Sequence, residues 1–305
     1  MLGVDLTDLA DCRNRLSALS GVTHLFYAAR HDHPEGQSEP EAINTAMLRN
    51  LVEALDARAP ALAHVNLVHG TKYYGHHLGP IPAPALEEGP RGRGATFYFE
   101  QEDFVRERAP AARWSWTIAR PHTFCDPEAG NPRAIALIIA VLAVVQRELG
   151  EPLFFPGTGK GFEARTQFTE LALLARALEW MAIEPRCANQ AFNVVNGDSP
   201  RWSELWPALA LALGVRSGAP RAVRLAGYMA DKAPVWDAIV ARHGLRRNAL
   251  DRIALWDYGD YVFHPEWDIM SAMDKARRFG FEERVDSRDM FLRLFAAYRA
   301  QRIIP

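Results

Sequence analysis

The chain has 305 residues, of which 49% are hydrophobic and 24% charged, and its formal net charge is −2. This length is enough for one large domain or two smaller ones with a substantial core. The near-zero charge argues against the basic surface that binds nucleic acid. Three widely spaced cysteines, Cys12, Cys125 and Cys187, predict neither a disulfide framework nor a zinc site, which favours a cytoplasmic location.

The sequence offers weak support for a membrane or a metal. The N-terminal residues carry acids where a signal peptide would carry bases, and the apolar run at 134–145 is shorter than the ~20 residues of a membrane helix. His31-Asp32-His33 and His76-His77 are histidine groups without a third ligand at a defined spacing. We therefore expect no membrane partner and no metal.

Strands and helices alternate in the first part of the chain. Apolar runs predict strands at residues 24–29, 65–70 and 114–119, the first of them buried on both faces, with a further strand end at 2–6. Helical spacing of apolar residues predicts the intervening helices at residues 9–19, 41–57 and 98–108. Such alternation is typical of a parallel sheet with right-handed crossovers.

Longer helices are predicted beyond residue 121, with only two short strands between them. The helices are expected at residues 134–149, 168–181, 202–213, 267–279 and 288–302, and the strands at 152–155 and 191–195. The predicted fold class is therefore α/β, with a Rossmann-like sheet domain at 1–128 and a mostly helical substrate-binding domain at 129–305. Segments near 166–200 are candidates for a return to the sheet domain.

The glycine motif of dinucleotide-binding folds is not found ahead of His24. Such a fold normally begins with a strand, G-x-G-x-x-G and a helix. The only glycine cluster, at residues 157–161, fails the P-loop template and is interpreted as an ordinary loop. We therefore expect an N-terminally truncated sheet in which one edge of the 24–29 strand is unpaired, a liability for aggregation.

Residues 65–75, VNLVHGTKYYG, end an apolar strand in glycine and then present a lysine and two tyrosines. Open α/β sheets bind ligands at the carboxyl ends of their strands. The Phe97-Tyr98-Phe99 segment opens the next predicted helix. We hypothesise that Lys72 and Tyr98 form the reactive pair.

Several motifs carry a resemblance that runs nearly from end to end. They are VTHLFY (22–27), NTAMLRN (44–50), GTKYYG (70–75), FYFEQED (97–103), WSWTIARP (114–121) and FNVVNGDSPRWSELW (192–206). By these motifs the chain resembles the progesterone 5β-reductase/iridoid synthase-like (PRISE) family of atypical extended short-chain dehydrogenases/reductases. Tyr73 stands where the family usually has histidine, and the family's N-terminal glycine motif has no counterpart, so we expect a segment to be missing upstream.

The resemblance implies NADPH-dependent 1,4-reduction of an enone, with NAD(H) not excluded as the cofactor. Tyr98 would stabilise the enolate oxygen, backed by Lys72 in place of the usual lysine one helical turn from the tyrosine. The segment after Pro121 would line the nicotinamide pocket, and small residues would pass beneath the pyrophosphate. The implied cofactor residues are Asp5, Leu6, Ala28, Ala29, Pro121, His122, Thr123 and Phe124.

Arg30 and Leu78 are the expected residues of the substrate pocket. Arg30 replaces the tryptophan of many plant members, which suggests a polar or anionic substrate; equal activity of Arg30→Trp and the unmodified chain on carboxylated and neutral enones would contradict this. Two alternatives stay open: a carbonyl reductase or sugar-nucleotide epimerase on the same scaffold, and a truncated non-catalytic binding protein. The partner is expected to be a small-molecule enone or carbonyl compound, with a homodimer left open.

Overall fold

The computed structural model describes residues 2–32, 40–94, 96–128 and 130–305. The strands are β1 His24–Tyr27, β2 His64–Val68, β3 Ser115–Pro121, β4 Thr123–Cys125, β5 Phe168–Glu170 and β6 Gln190–Val194. The helices are α1 Leu9–Arg15, α2 Glu41–Asp56, α3 Phe97–Arg108, α4 Ile135–Glu148, α5 Gly159–Glu163, α6 Leu171–Ile183, α7 Trp202–Ala212, α8 Leu225–Met229, α9 Ala233–His243, α10 Leu250–Ile253, α11 Trp256–Phe263, α12 Asp274–Arg278 and α13 Ser287–Ala300.

A parallel sheet in the order β1-β2-β3-β6 forms the framework of the fold. The strands are joined through helices, as parallel connections require. A second, two-stranded parallel sheet pairs β4 with β5 beside the end of β3. The predicted α/β class with a Rossmann-like sheet is therefore confirmed. Because β6 pairs with β3, part of the 166–200 segment lies in the main sheet; the division at residue 128 stays a prediction.

Apolar patterning explains how the helices pack. The repeat in α2 places Leu48, Val52 and Leu55 against the sheet in a cluster that also contains side chains of α3. On the other face, α6 packs against β2 and β3. Helix α4 is apolar all round, and its residues 135–146 are all buried among the C-terminal helices. A helix without a polar face is stable only inside a core, as α4 is.

The prediction that the first strand is buried on both faces is wrong. Tyr27 of β1 is buried, but Phe26 is 47% exposed and His24 is also exposed. The reason is position: β1 is the edge strand of the sheet in the described part of the chain, with β2 as its neighbour. Only the side of β1 that carries Tyr27 faces the packed helices.

Four element predictions need correction. Residues 2–6 form no strand, and 152–155 contribute only an isolated bridge between Leu153 and Ser217. The 168–181 helix begins later, because Phe168–Glu170 pairs as β5. Of the 267–279 helix, only Asp274–Arg278 is helical. The stretch before it bonds elsewhere: Ala85 donates to the Met270 carbonyl, and Ala272 donates to that of Ala85.

Candidate active site

Tyr98 lies at the carboxyl end of β2. It occupies the first turn of α3, where the Thr96 hydroxyl accepts a hydrogen bond from its backbone N–H at 3.4 Å. Its ring stacks on His69, with centroids 4.5 Å apart and planes 17° from parallel. A Cβ atom at Gly70 would lie 3.3 Å from the Tyr98 hydroxyl oxygen. Glycine therefore allows the phenol to lie directly against the strand end.

Lys72 lies in the turn that follows. A 3₁₀ turn at Thr71–Tyr74 continues from Gly70 and ends at Gly75, whose φ of +80° is in the left-handed region that favours glycine. The Lys72 ammonium lies over the ring of Tyr261, 5.8 Å from its centroid. The structure thus places Lys72 two residues beyond the glycine that contacts Tyr98.

The buried side chain of Arg120 packs against the Thr71–Tyr74 turn. The Arg120 guanidinium is 1% exposed, and its carbon lies 3.4 Å from the centroid of the Tyr73 ring. It donates to the Tyr74 hydroxyl at 3.2 Å and to a Glu102 carboxylate oxygen at 3.5 Å. Tyr74 in turn donates to the Asn193 side chain of β6 at 2.6 Å. These contacts fix the backbone that carries Lys72.

Two cavities flank the strand ends. The larger, about 550 Å³, is lined by Thr71, His76, His77, His122, Thr123, Pro156, Gly157, Thr158, Thr166, Ala222, Val223, Arg224, Asp257, Asp260, Tyr261, Val262, Phe263, His264, Pro265, Trp267 and Ile269. The smaller, about 350 Å³, is lined by Ala28, Ala29, Arg30, Val68, His69, Phe97, Tyr98, Phe124, Asp126, Asn131, Leu171, Leu174, Ala175 and Leu178. Both volumes are in the range of small-molecule sites.

Some residues that line the two cavities are neighbours in the sequence. His69 lines the smaller cavity and Thr71 the larger, and Gly70 lies between them in the chain. Thr123 and Phe124 are divided between the cavities in the same way. The Tyr98 side chain lines the smaller cavity, and its hydroxyl lies against Gly70.

Six of the eight predicted cofactor residues fall into three places. Ala28, Ala29 and Phe124 line the smaller cavity, whereas His122 and Thr123 line the larger one. Pro121 is buried at the end of β3. Their assignment to a cofactor stays a prediction.

Asp5 and Leu6 line neither of these cavities. They lie at the N-terminal side of α1, where Asp5 accepts hydrogen bonds from the backbone and hydroxyl of Thr7, which hold the pKa of its carboxyl below the usual range. The Leu6 carbonyl accepts a hydrogen bond from Asn50 at 2.9 Å. Both residues therefore have hydrogen-bond partners within the protein, and their predicted adenine contact stays a prediction.

The two predicted substrate residues differ in position. Arg30 lines the smaller cavity, and its guanidinium lies 3.8 Å from Asp32, which also accepts two hydrogen bonds from Arg133. Leu78 is 60% exposed and lines neither of the two cavities. Its terminal methyl group lies beside Gly94. The structure does not bring Leu78 together with the other candidates.

Sequence reasoning missed three residues at the site. His69 stacks on Tyr98, and its place just before Gly70 was the available signal. His76 and Tyr261 meet across the larger cavity from distant segments, for which the sequence holds no signal. His122, which was predicted, donates its backbone N–H to Thr169, and its ring lies 2.8 Å from the Ser271 hydroxyl. Burial lowers the pKa of His122 to about 3, so its ring is neutral at physiological pH.

Within the described ranges, no group of three or more histidine, cysteine or acidic side chains is arranged to hold a metal ion. His33, which belongs to one of the histidine groups noted in the sequence, lies outside those ranges. Within the same ranges, no helix combines the length and apolar character needed to cross a membrane.

A parallel sheet with a tyrosine against a glycine at its carboxyl edge, and a cavity lined by that tyrosine, defines a Rossmann-type site. Residues 5–305 match the model of the PRISE-like Rossmann-fold domain. The chain belongs to this family, and the predicted resemblance is confirmed.

Relatives of the chain include a dehydrogenase, a reductase and enol synthases. It is 32% identical to a short chain dehydrogenase of Penicillium aethiopicum, over 93% of this chain and 80% of that protein. It is 31% identical to a 3-oxo-Δ(4,5)-steroid 5β-reductase of Arabidopsis thaliana, over 99% and 79%. It is also 31% identical to an (S)-8-oxocitronellyl enol synthase of Nepeta racemosa, over 100% and 79%. The chain is therefore placed among enzymes of the dehydrogenase/reductase type.

Solved structures share the fold at low identity. A protein of Pseudomonas aeruginosa, in a complex with NADPH, superposes with a TM-score of 0.65 at 14% identity, covering 98% of this chain and 88% of that one. A UDP-glucose 4-epimerase of Thermus thermophilus, in a complex with NAD, gives 0.66 at 14%, covering 97% and 83%. At this identity the likeness establishes the Rossmann-like fold alone.

Proposed function

We propose that the protein is an NADPH-dependent reductase of enones, adding hydride to the β-carbon of an activated C=C bond. One observation carries the proposal: the Tyr98 side chain lines the smaller cavity, and its hydroxyl lies against Gly70 at the end of β2. A donor there can serve the carbonyl oxygen of a substrate placed beside a reductant in the smaller cavity. Relatives named as a steroid 5β-reductase and an enol synthase support the same chemistry.

The smaller cavity fits the nicotinamide end of a cofactor. Ala28 and Ala29 follow β1 with side chains of a single methyl group, which leaves the strand end open to close approach. Its other walls are mainly apolar and include Phe124 and Leu174, as suits a flat ring. When bound, a nicotinamide cofactor supplies the hydride. NADPH is preferred on the family resemblance, and NADH stays an alternative.

The protein's own part in the reaction is to stabilise charge. As the C=C bond is reduced, negative charge develops on the carbonyl oxygen of the enone, and the Tyr98 O–H donates a hydrogen bond to it. Lys72 adds positive charge to the same strand end. His76 and His122, which line the larger cavity, are neutral, because burial lowers their pKa values to about 4 and about 3. Water completes the reaction by protonating the α-carbon.

Turnover of a simple enone with NADPH tests the proposal. Tyr98→Phe is expected to lower kcat by about 10²–10³, the usual effect of losing one oxyanion donor. Tyr228→Phe is the matched control, because that hydroxyl bonds to Glu151 away from the site. The control is expected to retain full activity.

Product analysis separates the remaining functions. A saturated ketone supports the enone reductase, whereas an allylic alcohol would indicate a carbonyl reductase. A Tyr98→Phe variant as active as the unmodified chain would contradict the role of the phenol. Absence of turnover together with absence of NADPH binding in a fluorescence titration would favour a non-catalytic binding protein.

A further inference from the structure

The orientation of the Tyr98 ring depends on its neighbours at the end of β2. The ring of His69 stacks against its face, with centroids 4.5 Å apart and planes 17° from parallel. Phe97 meets the ring edge-on, with centroids 4.6 Å apart and planes at 68°. A Cβ atom at Gly70 would lie 3.3 Å from the phenol oxygen, so glycine leaves room for the hydroxyl. His69 is therefore the neighbour that covers the face of the phenol and sets its plane.

His69 is itself tied to the main sheet. It follows β2 directly, and its backbone N–H donates to the Ala119 carbonyl of β3 at 2.9 Å. The residue is buried, with 3% of its surface exposed. Tyr98, in contrast, is carried by the first turn of α3. A group fixed to the sheet can therefore hold a side chain that a neighbouring helix supplies.

The nitrogen atoms of the imidazole do not explain the presence of His69. Both are buried, and neither makes a hydrogen bond with the described residues. Burial and the charge of Arg120 lower the pKa of His69 well below its usual range, and Gln101 offsets this only in part, without reaching hydrogen-bond geometry. The ring is therefore neutral near pH 7. Because two unpaired nitrogens are unfavourable for folding, a purely structural role does not account for them.

We infer that His69 is a positioning residue, whose flat ring holds the Tyr98 phenol in the plane from which its hydroxyl reaches the carbonyl oxygen of the substrate. This rests on the proposed function in giving Tyr98 that oxygen as its partner. Position matters strongly here, since a displacement of about 1 Å can cost roughly 10²-fold in rate. His69 acts on kcat through Tyr98 and does not touch the reacting atoms.

Two substitutions separate the shape of the ring from its nitrogen atoms. His69→Leu keeps a similar volume without a flat ring, whereas His69→Phe keeps a flat ring without nitrogen. With cyclohex-2-enone and NADPH, His69→Leu should lower kcat about tenfold or more and change KM less than about threefold, because only the transition state is affected. His69→Phe should restore most of the lost kcat.

A double variant tests whether the effect passes through the phenol. In the Tyr98→Phe background, His69→Leu should cause little further loss of kcat, because residues that act as a unit are not additive. The control is His243→Leu, which replaces an exposed histidine at the end of α9 and should leave kcat unchanged.

NMR without enone or cofactor gives a second readout. With ¹³C-labelled tyrosine rings, the Tyr98 signal is the one of eight that Tyr98→Phe removes. His69→Leu should shift this signal, because the ring current of the stacked imidazole is lost. His243→Leu should not shift it.

Equal loss of kcat in His69→Leu and His69→Phe would overturn the inference, because the nitrogen atoms would then matter more than the shape. Full activity of His69→Leu, additive losses in the double variant, or an unshifted Tyr98 signal would overturn it as well. Failure of the proposed function gives a different result. In that case no variant turns over the enone, but the Tyr98 signal still responds to the residue at position 69, which supports the positioning of the phenol.

Discussion

Glu102→Gln is expected to destabilise the protein more than Arg120→Met, although the two residues form one buried ion pair. Each side chain is 1% exposed, and the guanidinium nitrogen lies 3.5 Å from the carboxylate. Glu102 has two further cations, Arg91 at 3.4 Å and Arg106 at 2.8 Å, which compensate its charge when Arg120 is lost. For Arg120, no other carboxylate among the described residues takes part in an ion pair with it.

The magnitudes follow from this asymmetry. Glu102→Gln leaves the buried charge of Arg120 without a carboxylate, and removing one partner of a buried ion pair in this way costs about 3–5 kcal/mol of unfolding free energy. Arg120→Met loses the hydrogen bonds to the Tyr74 hydroxyl and the Glu87 carbonyl, about 1.5 kcal/mol each at the lower end for a charged donor. Arg120→Met should therefore cost about 3 kcal/mol, at the lower end of the loss expected for Glu102→Gln. In the double variant the buried charge is gone, so the combined loss should be smaller than the sum of the two.

Urea unfolding followed by tryptophan fluorescence measures these free energies. The exposed pair of Arg176 and Glu283, 47% and 45% exposed, provides the control. Arg176→Met should change the free energy of unfolding by less than about 1 kcal/mol. An Arg120→Met variant that loses as much stability as Glu102→Gln would refute the reasoning, and so would strict additivity in the double variant.

Two further predictions concern packing and pH. Gly92→Ala should cost at least about 1–3 kcal/mol in unfolding free energy, because a Cβ there would lie 2.1 Å from the Tyr74 carbonyl carbon, whereas Gly227→Ala, with nothing within 4 Å, should not destabilise. Burial lowers the pKa of His64 to about 4, so the unfolded chain takes up the proton first and stability should fall as the pH drops from about 6.5 towards 4. Urea titrations at pH 7.5 and 5 should show a smaller fall for His64→Asn, and an unchanged fall would exclude His64 as the source.

Local patterns predicted the elements whose partners are local or whose apolar face is continuous. Helices α2 and α3 were predicted to within one residue at each end, since the spacing of apolar residues sets the buried face. The predictions of secondary structure and burial were wrong where contacts with a distant segment determine the conformation. The stretch before Asp274 is not helical because its backbone bonds to Ala85. Phe26 is exposed on β1, which lies at the edge of the sheet in the described part of the chain.

The site divides in the same way. Motif resemblance pointed to Tyr98 and Lys72, and the structure places both at the end of β2. The motifs do not predict the contact of the Tyr98 phenol with Gly70, because that contact depends on how α3 packs over the sheet. The pairing of His76 with Tyr261 joins residues 185 positions apart, and only the folded chain brings them together.

The position of β6 has a consequence for how the chain is made. β3 is an inner strand whose second neighbour, β6, is encoded well after it. During synthesis, the edge of β3 that pairs with Gln190–Val194 lacks this partner until β6 has been made. Helix α4, which needs burial on every side, is made before β6. Such delayed closure slows folding and favours aggregation of the nascent chain. Chaperone dependence should therefore be greatest for ribosome-bound chains in which α4 has left the ribosome but Gln190–Val194 has not.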